Sequence, residues 1–242
     1  MEVYSKSDIG MVRKSNQDDV NFKVIAEDIC WAVVCDGMGG ANGGDIASKT
    51  AVNVITKSLT ENLHENVGQD IIEDVIKNAI YEANNQIYEV SKEKKELSGM
   101  GTTVVLAMVC RGMLHIAHVG DSRAYITSEK GIQQVTQDHS IVQELINTGE
   151  ITKEEASTHP RKNIITRVLG IGSEINVDYN SFELQSDEKI ILCTDGLTND
   201  LSDEQIYNIF KENEVINTAE RLVNAAKEKG GNDNITVAVI VQ

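Results

Sequence analysis

Proline occurs once in the 242 residues, at Pro160. With 40% hydrophobic and 25% charged residues, that excludes collagen-like, low-complexity and broadly disordered chains. Basic residues are scarce. Twenty-two Lys and Arg face 38 Asp and Glu, for a net charge of −16. No basic stripe offsets this charge, so no nucleic-acid partner is expected. Any anionic substrate needs positive charge supplied locally. Long apolar runs are also missing. Uncharged stretches such as Thr102 to Cys110 reach only about half of the ~20 residues that a membrane span needs, so no membrane partner is expected. Met1 to Ser15 has no apolar core of a signal peptide. Cys30, Cys35, Cys110 and Cys193 form no C-x-x-C and lie in apolar runs. They read as buried free thiols in a reducing compartment, which predicts a cytoplasmic protein.

What is present alternates between strand-like and helix-like stretches. Glu2–Ser7, Val20–Glu27 and Ile29–Asp36 are β-rich runs broken by polar turns. A glycine-rich corner follows at Gly37–Gly44, then two helices. Ile72, Ile76, Ala79, Ala83, Ile87 and Val90 recur at helical spacing and predict the second helix over about Gln69 to Lys95. Thr102–Cys110 turns at Arg111-Gly112 into Met113–Val119, and Arg123–Ser128 turns at Glu129–Gly131 into Ile132–Thr136. Such short connections mark antiparallel pairing. Residues 139 to 170 are polar and weakly helical, and read as an inserted subdomain. Ile175–Leu184 and Lys189–Asp195 resume the sheet. Helices near Ser202–Asn213 and Asn217–Glu228 precede a last strand, Ile235–Val241. No repeat or linker divides the chain. The expectation is one domain over 1–242, an α+β layered sandwich of antiparallel sheets between helical pairs.

Several apolar runs deliver an aspartate at an end: Asp36-Gly37, Asp121, Asp195-Gly196, and Asp233 just before the last strand. Asp18-Asp19 adds an early acidic pair. Asp-Gly and Asn-Asp-Asn also favour turns, and any one of these alone reads as a turn. Their repetition at four separated rims is what points to a site. Converging carboxylates repel by ~4 kcal/mol per pair at ~4 Å and an effective dielectric of ~20, so a shared site calls for cations. Oxygen ligands suit Mg²⁺ or Mn²⁺, and no H-E-x-x-H or Cys/His cluster competes. The corner Gly37-Met-Gly-Gly-Ala-Asn-Gly-Gly44 has Asn42 where a dinucleotide loop needs its third glycine, and no Lys-Ser/Thr follows for a P-loop. Glycines that let the backbone approach a metal fit better.

At these residues the sequence resembles the metal-dependent protein phosphatase family of type 2C, the PPM family, in its short bacterial form. The matching segments run in family order. They are Asp8-Ile-Gly-Met-Val-Arg13-Lys-Ser-Asn16-Gln-Asp18, Val34-Cys-Asp36-Gly37-Met-Gly-Gly40, Gly99-Met-Gly-Thr-Thr103 and His118-Val-Gly-Asp121-Ser-Arg123. Gln137-Asp-His139-Ser, His159-Pro-Arg-Lys-Asn163 with Leu169-Gly170, Cys193-Thr-Asp195-Gly196-Leu and Gly231-Asn-Asp233-Asn234-Ile-Thr complete the set. The resemblance implies a four-layer α-β-β-α sandwich with a metal cluster at one edge of the central sheets. It implies that Asp36 bridges two Mn²⁺ or Mg²⁺ ions, with the Gly37 carbonyl on the first and Asp195 and Asp233 on the second. A weaker third ion would lie between Asp121 and Asp195, Asp18 would hold metal-bound waters, and Arg13 would bind the substrate phosphate. Residues 140–168 would form a flap beside the site. Met38 stands where many eukaryotic members carry histidine, proposed as the general acid, and a metal-bound water is expected to stand in for it. Gln17 replaces an acidic residue of some relatives.

The implied activity is hydrolysis of phosphoserine and phosphothreonine in proteins, in bacterial signalling that opposes a serine/threonine kinase. Two cations bridged by one carboxylate lower the pKa of a shared water toward neutrality. Arg13, a planar fork, can bind two phosphoryl oxygens at once. The basic end of the flap, Arg161 and Lys162, is the expected contact for the polypeptide around the phosphate, and the chain is expected to act as a monomer. A catalytically weak binding module is the first rival, and the full set of metal carboxylates argues against it. A cysteine-dependent phosphatase is the second. It needs C-x5-R, and no cysteine here has arginine six positions on.

Overall fold

In the computed structural model, which describes residues 1–39, 43–211 and 215–242, β1 (Glu2–Asp8), β2 (Asp18–Ala26) and β3 (Ile29–Met38) form where the β-rich runs predict. Gly40, Ala41 and Asn42 of the glycine-rich corner lie outside the described residues, as do Glu212 and Asn213 at the expected end of a later helix. Helices α1 (Gly43–Asn62) and α2 (Ile72–Glu93) follow, then β4 (Gly101–Thr102), β5 (Val104–Cys110), β6 (Met113–Val119), β7 (Arg123–Ser128) and β8 (Gly131–Gln134). Short helices α3 (Ile141–Asn147) and α4 (Lys153–Ser157) lead to β9 (Asp178–Glu183) and β10 (Lys189–Cys193). The chain ends in α5 (Asp195–Thr198), α6 (Asp203–Lys211), α7 (Thr218–Lys229) and β11 (Ile235–Val241).

The strands make two sheets, ordered β1-β11-β10-β7-β8 and β2-β3-β5-β6-β9, with β4 paired to the end of β3. The assigned pairings are antiparallel. Central strands are apolar on both faces, because each sheet is covered twice. Along β3, Cys30, Ala32 and Val34 face the other sheet, while Trp31, Val33 and Cys35 face α1 and α2. In β10, Ile190 and Leu192 pack between the sheets, and Ile191 and Cys193 pack against the C-terminal helices. The result is the expected order of layers, helices, sheet, sheet, helices.

Local chemistry explains the joins. The β5–β6 hairpin turns on Arg111 (φ 50°) and Gly112 (φ 80°), the two positive φ values of a tight twisted turn. Arg111 tolerates that conformation while its guanidinium donates to the carbonyls of Val67 and Glu65. Helix α2 buries the stripe Ile72, Ile76, Ala79, Ile80, Ala83 and Ile87 and begins after a single 3₁₀ turn, Gln69–Ile71. One expectation is corrected. The strand predicted to run to Asp195 stops at Cys193, and Asp195 opens a helix instead. Gly196 lets this helix pack closely against the segment before the last strand, since a Cβ on it would lie 2.0 Å from the Asn234 carbonyl oxygen.

The insertion from Ser140 to Val168 carries α3 and α4. Ser140 caps α3, and Thr152 with Glu155 forms a reciprocal capping box on α4. Its two ends close on each other through an isolated bridge between Ser140 and Ile165 and a bond from the Thr166 amide to the His139 carbonyl, 2.8 Å. Among the described residues, no helix is long and apolar enough to cross a membrane.

Candidate metal centre

Asp18 opens β2 directly opposite Asp36 on β3, so the sheet register sets one carboxylate beside another. The backbone of Asp36 is clamped from the neighbouring segment. Its amide donates to Thr103 Oγ1 (3.0 Å), and its carbonyl accepts from Thr102 Oγ1 and the Thr103 amide (2.8 Å each). Thr103 Oγ1 also meets Ser122 Oγ at 2.7 Å, next to Asp121. From the other sheet, Thr194 Oγ1 donates to Asp18 Oδ2 at 2.9 Å, beside Asp195. Asn199 donates to Asp195 Oδ2 at 2.9 Å, and Arg13 to Asp233 Oδ2 at 2.6 Å. Asn234 fastens the β1–β2 loop that carries Arg13. It donates to the carbonyls of Ile9 and Ser15 and accepts from the Gln17 amide.

The carboxylates are close enough to disturb one another. Burial, followed by repulsion from Asp18, Asp195, Asp121 and Asp233, holds the Asp36 carboxyl well above the usual range. Burial lifts Asp18 to about 7, and Asp195 and Asp233 add repulsion. Burial lifts Asp121 to about 8, again with Asp195 repelling it. Asp195 is raised by burial and then by Asp233. Asp18 Oδ1, Asp121 Oδ1 and Asp195 Oδ1 are buried with no hydrogen-bond partner. Acceptor oxygens left bare in a cluster of like charge are an arrangement that divalent cations complete. The donors are oxygens, so the residues fit Mg²⁺ or Mn²⁺. Gly37 is pressed against its surroundings, and a Cβ there would stand 2.1 Å from the Gly44 carbonyl oxygen. The four cysteines are buried, and burial pushes the thiols of Cys30 and Cys193 up to about 12, which leaves them without a nucleophilic thiolate.

The structure thus brings Asp18, Asp36, Asp121, Asp195 and Asp233 to the rim shared by the two sheets, with Arg13 at its edge. It separates the two flap residues. Lys162, together with Lys153, lines a cavity of about 310 Å³ that Asp121 and Asp195 also line, while Arg161 is exposed and outside that lining. Sequence reasoning did not single out the supports: Thr103, Thr194, Asn199, and the ion pair in which Arg123 grips Asp138 with three hydrogen bonds of 2.7–3.1 Å. For Thr194 and Asp138, adjacency to a motif aspartate or histidine was the signal, and for Thr103 its place at the end of the Gly99–Thr103 segment.

A four-layer antiparallel sandwich with a cluster of buried and half-buried carboxylates at the rim of its sheets defines the metal-dependent protein phosphatase class. Comparison with known proteins agrees. The family profile described as Protein phosphatase 2C matches residues 12–236. A serine/threonine phosphatase, stp, of Listeria welshimeri is 36% identical over 99% of this chain and 95% of its own length. The crystal structure of the serine/threonine phosphatase Stp1 from Staphylococcus aureus superposes with a TM-score of 0.93 at 35% identity, covering 100% of this chain and 94% of that one. The catalytic domain of the serine/threonine protein phosphatase PstP, solved with two manganese ions, gives a TM-score of 0.85 at 31% identity, covering 100% and 98%. This chain belongs to the protein phosphatase 2C family.

Proposed function

We propose that residues 1–242 act as one phosphatase domain that removes phosphate from phosphoserine and phosphothreonine in proteins. The observation that carries this reading is the cluster of carboxylates around Asp36, in which Asp18, Asp121 and Asp195 each keep a bare buried oxygen. Asp36 would be shared by two Mn²⁺ or Mg²⁺ ions, the Gly37 carbonyl would serve the first, and Asp195 and Asp233 the second. Asp121 with Asp195 would hold a weaker third. When bound, these ions supply an ionised water near neutral pH and a Lewis acid for the phosphoryl oxygens. The chain's own residues do the rest. Asp18, tied to Thr194, faces the cluster and accepts protons from water there. Arg13 spends one donor on Asp233, and the rest of its fork is free for phosphoryl oxygens. These cations and Arg13 supply the local positive charge that a −16 chain otherwise lacks. Met38 offers no proton to the leaving group. The partners would be phosphoproteins, among them a serine/threonine kinase that the enzyme opposes, and the chain would act as a monomer in the cytoplasm.

The test is hydrolysis of a phosphothreonine peptide with Mn²⁺, with Mg²⁺ and in excess chelator. Activity should vanish in chelator and return with either ion, and full activity in chelator would sink the proposal. The flap, 140–168, is read as the surface that meets the polypeptide. Arg161→Ala with Lys162→Ala should lower kcat/KM on phosphopeptides by about tenfold, the loss of one charge-assisted contact, while changing p-nitrophenyl phosphate hydrolysis little. Equal losses on both substrates would show that these residues act on the metal centre or the fold.

A further inference from the structure

At the base of the flap lies a second polar cluster that the phosphatase reading does not use: His118, His139, Asp178 and Arg167. His139 is 4% exposed. Its ring lies stacked on that of His118, centroids 4.6 Å apart. The two histidines and Asp178 have ligand atoms within 4.8 Å of one another. The donor set nevertheless does not suit a cation. His139 Nδ1 already accepts a hydrogen bond from the Gly120 amide at 3.0 Å, so in the neutral ring the proton sits on Nε2. A metal on Nε2 would require an imidazolate with both nitrogens bare. Asp178 is also claimed, since Arg167 Nη1 donates to its Oδ1 at 2.6 Å.

The tautomer is informative in another way. His139 Nε2 lies 3.2 Å from Asp178 Oδ2, off the line of the ring N–H, so the contact is electrostatic rather than a well-formed hydrogen bond. On its other edge the residue embraces Gly120 twice. Its ring accepts from the Gly120 amide, and its own amide donates to the Gly120 carbonyl at 2.9 Å. Gly120 immediately precedes Asp121. It holds φ at +111°, and a Cβ there would lie 2.6 Å from Thr103 Cγ2. The turn that aims Asp121 is therefore pinched between Thr103, which also holds the Asp36 amide, and His139. Arg167 belongs to the far end of the flap, and His139 immediately precedes its start.

We propose that His139 is a positioning residue whose Nδ1, bonded to the Gly120 amide, sets the Asp121 carboxylate, while its Nε2 edge faces the Asp178–Arg167 pair and so joins the base of the flap to that carboxylate. The proposal rests on the reading of Asp121 as a metal ligand. It goes beyond that reading by making the flap base and the weakest metal site one mechanical unit.

Two isosteric substitutions separate the edges of the ring. An asparagine Oδ1 can take the place of Nδ1, whereas a glutamine amide reaches the place of Nε2 and leaves the Gly120 amide without an acceptor. Mn²⁺ binding would be followed by the paramagnetic resonance of the free ion. His139→Gln should weaken the weakest site by roughly 10- to 100-fold, the range for partners that orient metal ligands, and leave the two stronger sites as they are. His139→Asn should bind Mn²⁺ like the parent. Amide hydrogen exchange in the metal-free protein gives a readout independent of metal: Gly120 should exchange at least about tenfold faster in His139→Gln and not in His139→Asn. A Gly120 amide that stays protected in His139→Gln overturns the proposal, as do equal effects of the two variants, which would mean that the ring only fills space. Asp121→Ala runs beside them. An unchanged weakest site in Asp121→Ala overturns the reading of Asp121 as a ligand and, with it, the coupling to metal. A weakened site there, with His139→Gln unaffected, overturns the proposal alone.

Discussion

Asp36→Asn is expected to remove catalysis and at the same time make the metal-free protein more stable. Asp36 is the carboxylate that feels Asp18, Asp195, Asp121 and Asp233 at once. Without cations it must either hold a proton that an unfolded aspartate releases or carry its charge beside four others, and both states cost folding free energy. An amide carries no such burden. Each kcal/mol moves Tm by about 2–4 °C in a chain of this size, so the gain in chelator should be several degrees. With Mn²⁺ the order reverses. The parent should gain stability from ions that bind only its folded state, and the variant, which would lack the proposed shared ligand, should gain little. Its kcat on a phosphopeptide should fall by roughly 1,000-fold or more, since the bridged ions are asked for several kcal/mol of the barrier. Melting curves with and without metal, beside initial rates, check both halves. A variant that melts lower than the parent in chelator would show that the cluster is not under repulsive strain.

How much of this was legible in the sequence depends on what held each element. Helix α2 was legible because its buried stripe is regular, and the β5–β6 hairpin because Arg111-Gly112 breaks two apolar runs. The clustered carboxylates were legible for a related reason: a lone charge after an apolar run has little reason to be there except a turn or a site. The short helices α3 and α4 showed only as weak helicity, because caps at Ser140 and Thr152 hold them rather than an apolar face. Helix α5 was not legible, and its first residue, Asp195, was read as the end of the strand, because four residues are too few to show a helical stripe and Gly196 packs against Asn234 only in the folded chain. The supporting hydroxyls, Thr103 and Thr194, lie in segments that match the family, but their residue type alone gives no sign of what they hold. Their role exists only once the two sheets are stacked and bring Asp18 against Thr194, 176 residues away.

The second large effect is on pH. In chelator, the protein should lose stability as pH rises toward 8, the reverse of the usual behaviour of native carboxylates. The sign follows from the direction of the shifts. Asp18 and Asp121 have folded values of about 7 and about 8, above the ~3.9 of an unfolded aspartate. Between those limits the folded state binds more protons than the unfolded one, so their contribution is intact below about pH 4 and drains away as pH climbs through 7 and 8. Histidine opposes this at the acid end. Burial lowers His139 to about 4, so the folded state binds fewer protons there than the unfolded one, and stability rises with pH until about 6.5. His118, also lowered by burial, acts in the same direction. The histidine slope fades over the unit above its unfolded value of ~6.5, while the buried thiols of Cys30 and Cys193, raised to about 12, add to the loss only where unfolded cysteines ionise, above about pH 8, so the carboxylates dominate between about pH 7 and 8. Tm measured in chelator at intervals from about pH 7 to 8 should therefore decline. Saturating Mn²⁺ replaces the protons on these carboxylates, so the gap between metal-loaded and metal-free Tm should widen over the same interval, with protons released on binding. A flat or rising Tm in chelator would mean that Asp18 and Asp121 stay ionised without metal, and would remove the electrostatic argument that their bare oxygens await cations.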